Sequence, residues 1–386
     1  MKIGILTGGG DTASLNAIIH GAFLKAEQDR HKLVGFEEGW KGVAERKYHR
    51  IKRTNPKRAG TSLFSSRTNP TEQEIEALAE TIDKTVDGLI AIGGDDTLTV
   101  GRRLCGLLQK PICFVTKTID NDVGKNSPEG LVDYEKIMNY FPSGFATAVF
   151  KAGIYATELK STAKSHKRVM VLETMGRKPG WLALSAFQAE PDFILIPEVG
   201  LDFDDFKKKV KERYDEKKYV IIVVAEGIKY TGASKPIAED ESNLDQFDNK
   251  KLGGVAEILA KRLKQELGIE NCSSNNPSYL YRCGISPKPG KYPMPSYLDM
   301  KTGIALGKLA FKTVRDGITL NVAVLQRRGD EMTAELRSLD EVVLTDVHGK
   351  ILPRTVDLRF YNPETYSITP KGVEYFKPIM GERNGR

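Results

Sequence analysis

Two β-forming runs in this chain end the same way. Residues 2–7 (KIGILT) break into the glycine-rich turn 8–14 (GGGDTAS), and from Leu15 (LNAIIHGAFLKAE) the apolar spacing is helical, with Ser14 as the candidate N-cap. Residues 88–94 (GLIAIGG) break at a second glycine pair and lead into an amphipathic stretch that reaches Lys110. A strand that turns through glycine into a helix must return to a partner strand, and a parallel partner needs a crossover of a dozen or more residues. Residues 32–37 (KLVGFE) and 112–115 (ICFV) stand at that distance, and further runs follow at 168–173 (RVMVLE), 192–197 (DFILIP), 219–227 (YVIIVVAEG) and 320–326 (LNVAVLQ). Strands alternating with helices and apolar on both faces predict an α/β fold with parallel-rich sheets.

At 386 residues the chain exceeds the roughly 100–200 of one domain, so two lobes are expected. Residues 121–147 lack strong periodicity and are rich in turn formers, which marks a lobe crossing. The polar run 231–250 (TGASKPIAEDESNLDQFDNK) reads as a mobile loop, and the last fifty residues carry no chemical signal.

A hydrophobic fraction of 40% with 28% charged residues is globular composition and excludes a disordered chain or a fibre. No stretch approaches the ~20 apolar residues of a membrane span, and MKIGILTGGG leaves no room for a signal-peptide core, so a cytoplasmic protein is expected. Cys105, Cys113, Cys272 and Cys283 form no CxxC pair and the five histidines no ligand spacing, which fits a reducing compartment without structural zinc. The excess of 58 basic over 51 acidic residues suits phosphorylated substrates as well as nucleic acid. The densest basic run, 207–218 (KKKVKERYDEKK), interleaves acids at helical spacing and reads as a solvated helix face, so no nucleic-acid partner is expected.

Four places carry chemistry. The turn GGGDTA fits G-x-G-x-x-G/A, and backbone N–H groups at a helix start bind anions. Taken as a dinucleotide site, with Glu37 or Glu38 on the ribose, it would make a nicotinamide-dependent oxidoreductase; the acid lies farther downstream than the ~20 residues such sites use. The second place, GGDDT at 93–97, sets Asp95 and Asp96 against glycines that invite phosphate. A carboxylate belongs there if Mg²⁺ sits between it and the phosphates, so Asp95 is a candidate metal ligand. The third is VTKTIDNDV at 115–123. There Asp120 and Asp122, at alternate positions of extended chain, would project to one side, one of them as general base, with Lys117 neutralising a transferring phosphoryl group. A polar turn held by Asx hydrogen bonds fits the same segment. The fourth is a set of isolated arginines, Arg67, Arg168, Arg177 and Arg282, beside Gly, Ser or Tyr, as in phosphate recognition.

Together these segments resemble the phosphofructokinase family. GGGDTASLN is similar to its first phosphate loop, GTSLFSSR to its second, GGDDT to its metal loop, KTIDND to its catalytic loop, MGRKPG and YLYR to its sugar-phosphate motifs and AEG to its carboxylate motif, in family order over roughly residues 1–315. The resemblance implies two Rossmann-like lobes, residues 1–140 with 282–386 for the phosphoryl donor and 141–281 for the sugar phosphate. It implies active sites shared between subunits of a homodimer or homotetramer. Gly10, Arg67, Gly94 and Thr97 would then hold the donor, with Asp95 on Mg²⁺. Thr118, Asp120 and Asp122 would meet the sugar, Asp120 as the base. Met175, Gly176, Arg177, Glu226, Tyr279 and Arg282 would bind the sugar phosphate, with Arg168 supplied by a neighbouring subunit. ATP users in the family carry Gly where this chain has Asp96, and pyrophosphate users carry a lysine at Lys117; some ATP-dependent members have the lysine too, so Asp96 is the discriminating residue. The expected reaction is therefore transfer between pyrophosphate and fructose 6-phosphate, yielding fructose 1,6-bisphosphate. Another acceptor such as sedoheptulose 7-phosphate, or ATP as donor, keeps the same fold. A non-catalytic subunit is opposed by the joint presence of Asp95, Lys117 and Asp120. The chain departs from the family at Asp11-Thr12-Ala13-Ser14, where a Pro-Gly pair is usual, and in the late motif, where Ser273 and Tyr279 replace a basic residue and a histidine. His20 and Leu24 stand where allosteric relatives place effector arginines, so no nucleotide activation is expected there.

Overall fold

The computed structural model describes residues 1–244, 250–347 and 349–381. They divide into two compact units, Met1–Thr147 with Arg282–Arg354, and Ala148–Tyr281 with the chain from Thr355.

The first unit is built on a seven-stranded sheet. Its spatial order is Glu331–Ser338, Asn321–Arg328, Ile112–Thr116, Gly88–Gly93, Lys2–Thr7, Lys32–Phe36 and Tyr48–Arg50. The inner five strands are parallel and the two edges antiparallel. The central strands Gly88–Gly93 and Ile112–Thr116 are buried along their whole length, as covered parallel strands must be. The helix Leu15–Gln28 lies against Tyr297–Arg315, and the approach is close enough to demand glycine. A Cβ at Gly21 would stand 2.1 Å from Ile304 O, and one at Gly307 2.0 Å from Ile18 O.

The second unit carries a four-stranded, all-parallel sheet in the order Cys272–Asn275, Val169–Thr174, Val220–Ala225, Phe193–Leu195. Its core joins Val171, Leu195 and Val224 to Phe206, Leu259 and Leu263 from flanking helices.

Every strand expected from the sequence is present. Two antiparallel edges, Tyr48–Arg50 and Glu331–Ser338, and the short polar strand Cys272–Asn275 are not in that reading. The run 231–250 differs as well: Glu239–Leu244 and Lys250–Leu252 pair antiparallel, while residues 245–249 lie outside the described residues. The sequence assigns residues 282–386 to the first lobe, but from Thr355 the described chain belongs to the second unit. The reason is aromatic. Tyr361 donates to Ile194 O at 2.7 Å, Ile194 N donates to Tyr366 O at 2.7 Å, and Trp181 packs on Phe360 and Tyr375 with centroids 6.0 and 4.8 Å apart. Among the described residues no helix is long and apolar enough to cross a membrane.

Candidate active site

Three parallel strands of the first unit release their loops at one edge. Thr7 is level with Ile92 and Gly93 with Thr116, so Gly8, Gly94 and Lys117 leave the sheet side by side. Gly8 N donates to Ile92 O (2.9 Å) and Lys117 N to Gly93 O (3.0 Å), continuing the ladder one residue past the strands. Thr97 closes the space between the turns. A Cβ at Gly8 would lie 2.5 Å, and one at Gly93 2.2 Å, from Thr97 Oγ1. With 2% exposure, the side chain of Thr97 is committed to this packing.

Above the first turn sits the loop GTSLFSSR. Gly9 N donates to Ser66 O (2.9 Å), Ser65 Oγ to Gly9 O (2.6 Å) and Ser62 N to Asn16 Oδ1 (2.8 Å). These bonds bring Arg67 to Gly10, where a Cβ would lie 3.5 Å from Arg67 Nη2 and 3.6 Å from Arg282 Nη1. Lys117 Nζ donates to Gly10 O. Gly10, expected at the donor, is therefore ringed by three cations. Arg282, assigned to the sugar phosphate from its motif, lies beside this glycine loop.

Lys117 is 3% exposed, and burial, aided by repulsion from Arg282 and Arg67, lowers its pKa to about 8 against the pull of Asp11 and Asp122. Asp11, which the sequence noted only as part of an altered loop, is the negative charge that acts most strongly on Lys117; burial raises its own pKa while Lys117 and Arg282 lower it. The altered loop has its own anchor. Ser14 occupies the N-cap position, but its side chain makes no capping bond; its Oγ accepts from Ser143 Oγ at 2.8 Å. Ser143 in turn bonds through its backbone to Thr116 O (3.2 Å) and Thr118 N (3.3 Å).

Asp95 and Asp96 open the helix Asp95–Cys105, with Gly94 at its N-cap. Asp96 is exposed, Asp95 is half-buried, and Asp95 Oδ1 accepts from Asp96 N at 2.9 Å. The first-turn N–H groups of a helix favour an anion at this end. Among the described residues no cluster of three His, Cys, Asp or Glu side chains could hold a metal ion. The hard oxygens of Asp95 fit Mg²⁺ when a ligand's phosphates complete the shell.

The segment Thr118–Asp122 is not extended. Asn121 sits at φ 57°, and Asp120 N donates to Thr118 Oγ1 at 3.0 Å. The two aspartates still act on one another: burial first, and then the Asp120 charge, push Asp122 above the usual carboxylate range, while Thr118 and Arg354 oppose the rise. Asp122 Oδ1 is buried with no hydrogen-bond partner among the described residues.

The second unit brings another group of candidates together. Thr174 is level with Ala225, Glu226 N donates to Thr174 O (3.0 Å) and Gly227 N to Gly176 O (3.1 Å). Met175, Gly176, Arg177 and Glu226 therefore stand at one sheet edge. Arg168 precedes the same strand at its other end, about 20 Å away at 3.3 Å per residue, and its Nη1 donates to Thr162 Oγ1 at 3.1 Å. Tyr279 is 80% exposed. The sequence reading missed Glu198, which accepts from Gly180 N (3.0 Å) and Val356 N (2.6 Å) and whose pKa burial pushes up to about 7. Its only signal is an acid directly after an apolar strand.

Glycine turns at the carboxyl ends of parallel strands, ringed by cations and backed by coupled carboxylates, define an α/β protein equipped to handle phosphate groups. The family profile described as Phosphofructokinase matches residues 2–291, and the chain belongs to that family. It is 34% identical over 371 residues to the Pyrophosphate--fructose 6-phosphate 1-phosphotransferase of Dictyoglomus thermophilum, covering 94% of this chain and 96% of that one. It is 36% identical over 287 residues to the ATP-dependent 6-phosphofructokinase 3 of Streptomyces coelicolor, covering 70% and 77%. The fold matches the crystal structure of a pyrophosphate-dependent phosphofructokinase from Marinobacter aquaeolei with a TM-score of 0.79, over 99% of this chain and 92% of that one, at 21% identity.

Proposed function

We propose that this protein transfers a phosphoryl group between pyrophosphate and the 1-hydroxyl of fructose 6-phosphate, giving fructose 1,6-bisphosphate and phosphate. The observation that carries the choice of donor is Asp96, an exposed carboxylate in the first turn of the helix that follows the second glycine turn. ATP would have to bring its α-phosphate past this charge, whereas pyrophosphate has no such group. Relatives of similar identity carry both kinds of donor in their names, so the discrimination rests on this residue.

In this reading the donor lies against Gly10 and Gly94, and Lys117, Arg67 and Arg282 bind and neutralise its charge. Asp95 would hold Mg²⁺, which when bound screens the negative charge of the phosphates. Asp120 accepts the proton of the sugar hydroxyl as oxygen attacks phosphorus, and Asp122 orients that hydroxyl. Phosphoryl transfer needs positioning and charge neutralisation more than covalent help, which suits a site of fixed cations around a bare backbone. Met175, Gly176, Arg177 and Glu226 take the sugar phosphate, and Arg168 would serve a site only in a second copy of the chain.

The test is fructose 1,6-bisphosphate formation with pyrophosphate and with ATP at equal concentration. Pyrophosphate is the expected donor; a preference for ATP overturns the reading, and turnover of a seven-carbon sugar phosphate in place of fructose 6-phosphate would reassign the acceptor.

A further inference from the structure

Arg354 lies in a part of the chain to which the sequence gives no chemical meaning, yet its side chain is among the largest fully buried ones, at 1% exposure. A guanidinium has five N–H donors and no acceptor. Nε donates to Asn121 O at 3.1 Å, Nη1 to Asn139 O at 2.9 Å and Met138 O at 3.3 Å, and Nη2 to Tyr140 O at 3.3 Å and to Asn121 Oδ1. The backbone N of Arg354 donates to Asp122 O at 2.7 Å. These acceptors lie on two segments, the loop that bears Asp120 and Asp122 and the stretch Met138 to Tyr140.

The contact falls on the weakest point of that loop. Asn121, between the two aspartates, is fully buried at φ 57°, a conformation that costs a non-glycine residue free energy unless its surroundings hold it. Arg354 takes both the backbone and the side-chain oxygen of Asn121 and so holds this turn from two sides. The loop is shaped to admit the guanidinium: a Cβ at Gly124 would lie 2.6 Å from Arg354 Nη1. Its permanent positive charge also acts on Asp122, where it joins Thr118 and the Lys117 ammonium in opposing the rise caused by burial and the Asp120 charge.

We propose that Arg354 is a positioning residue for phosphoryl transfer: it fixes the left-handed turn at Asn121 and so aims Asp120 and Asp122. This rests on reading that loop as the site of proton removal from the acceptor. Lysine at 354 would keep the charge but not the planar set of five donors.

The experiment compares wild type, Arg354→Lys, Arg354→Ala and Asp120→Asn in steady-state assays of fructose 6-phosphate phosphorylation by pyrophosphate, with thermal unfolding of each. An active wild type silenced by Asp120→Asn upholds the underlying reading; an Asp120→Asn that keeps full turnover removes it, and this proposal with it. Arg354→Lys is expected to lose about 30-fold or more in kcat with KM for both substrates nearly unchanged, as a displaced catalytic group does. In Arg354→Ala the acid limb of kcat/KM should move to higher pH, and added guanidinium should restore part of the lost turnover. A folded Arg354→Lys with kcat within about two-fold of wild type overturns the proposal. If neither variant folds, Asn121→Gly decides: it permits the same backbone and removes one acceptor, and kcat should fall several-fold at constant KM, whereas unchanged kcat refutes the assignment.

Discussion

Lys117 donates from its ammonium group to the carbonyl oxygen of Gly10, joining the end of one central strand to the glycine turn of its neighbour but one. The bond uses one of three N–H donors and leaves the charge beside the place where a donor phosphate would lie. Burial, aided by repulsion from Arg282 and Arg67, brings the pKa of this ammonium down to about 8.

Lys117→Met should lower turnover by orders of magnitude without loss of stability at neutral pH. The folded pKa lies below the unfolded value, so the buried charge opposes folding fully below about 8 and less as pH rises toward 10.5. Removing it is therefore expected to hold or raise Tm at pH 7, read by thermal unfolding. The alkaline limb of kcat/KM in the native enzyme should fall near 8, because the ammonium loses its proton there.

Asp120→Ser should abolish turnover while the protein remains folded by circular dichroism. Its neighbour then loses a like charge, so Asp122 should titrate lower than in the native protein, measurable by carbon-detected NMR of the side-chain carboxyl. Full activity in this variant would remove Asp120 from the role of base.

Asp96→Gly should admit ATP at least weakly as donor. It removes an exposed first-turn carboxylate and places glycine in a helix, together costing about 1–2 kcal/mol of stability. ATP-dependent product formation is the measurement, and none at all would mean that other residues also block the nucleotide.

Glu198→Gln should flatten the dependence of Tm on pH. The folded pKa of Glu198, about 7, exceeds the ordinary glutamate value of 4.5, so its protonated form contributes stability that is complete below 4.5 and lost as pH rises through 7. Native protein should therefore lose more Tm between pH 5 and 8 than the glutamine variant, and equal losses would count against this burial.

The glycine turns were legible because their signal is local: β-formers, then bare backbone, then helical spacing within some twenty residues. Lys117 and Asp95 inherit their places from the same strand ends. Arg282 shows the boundary of that logic, since its motif indicates a phosphate ligand but only the tertiary fold sets it against Gly10. Spacing suggested that Asp120 and Asp122 share one side of an extended segment. The turn at Asn121 breaks that pattern, and the residue that holds it lies 233 positions away in sequence. The strand Glu331–Ser338 escaped detection because its half-exposed residues blur the alternation, although Gly329-Asp330 is a two-residue hairpin signal.

The packing of Thr97 between Gly8 and Gly93 has a consequence for how such a site can change through descent. A methyl group at either glycine meets the threonine, and a bulkier residue at 97 meets both turns, so no one of the three positions can enlarge by itself. A lineage that remodels this edge must accept linked substitutions or pass through a broken intermediate. The three residues form a single heritable character, spread across two strand-to-helix turns whose glycines, Gly8 and Gly93, stand 85 positions apart in the sequence.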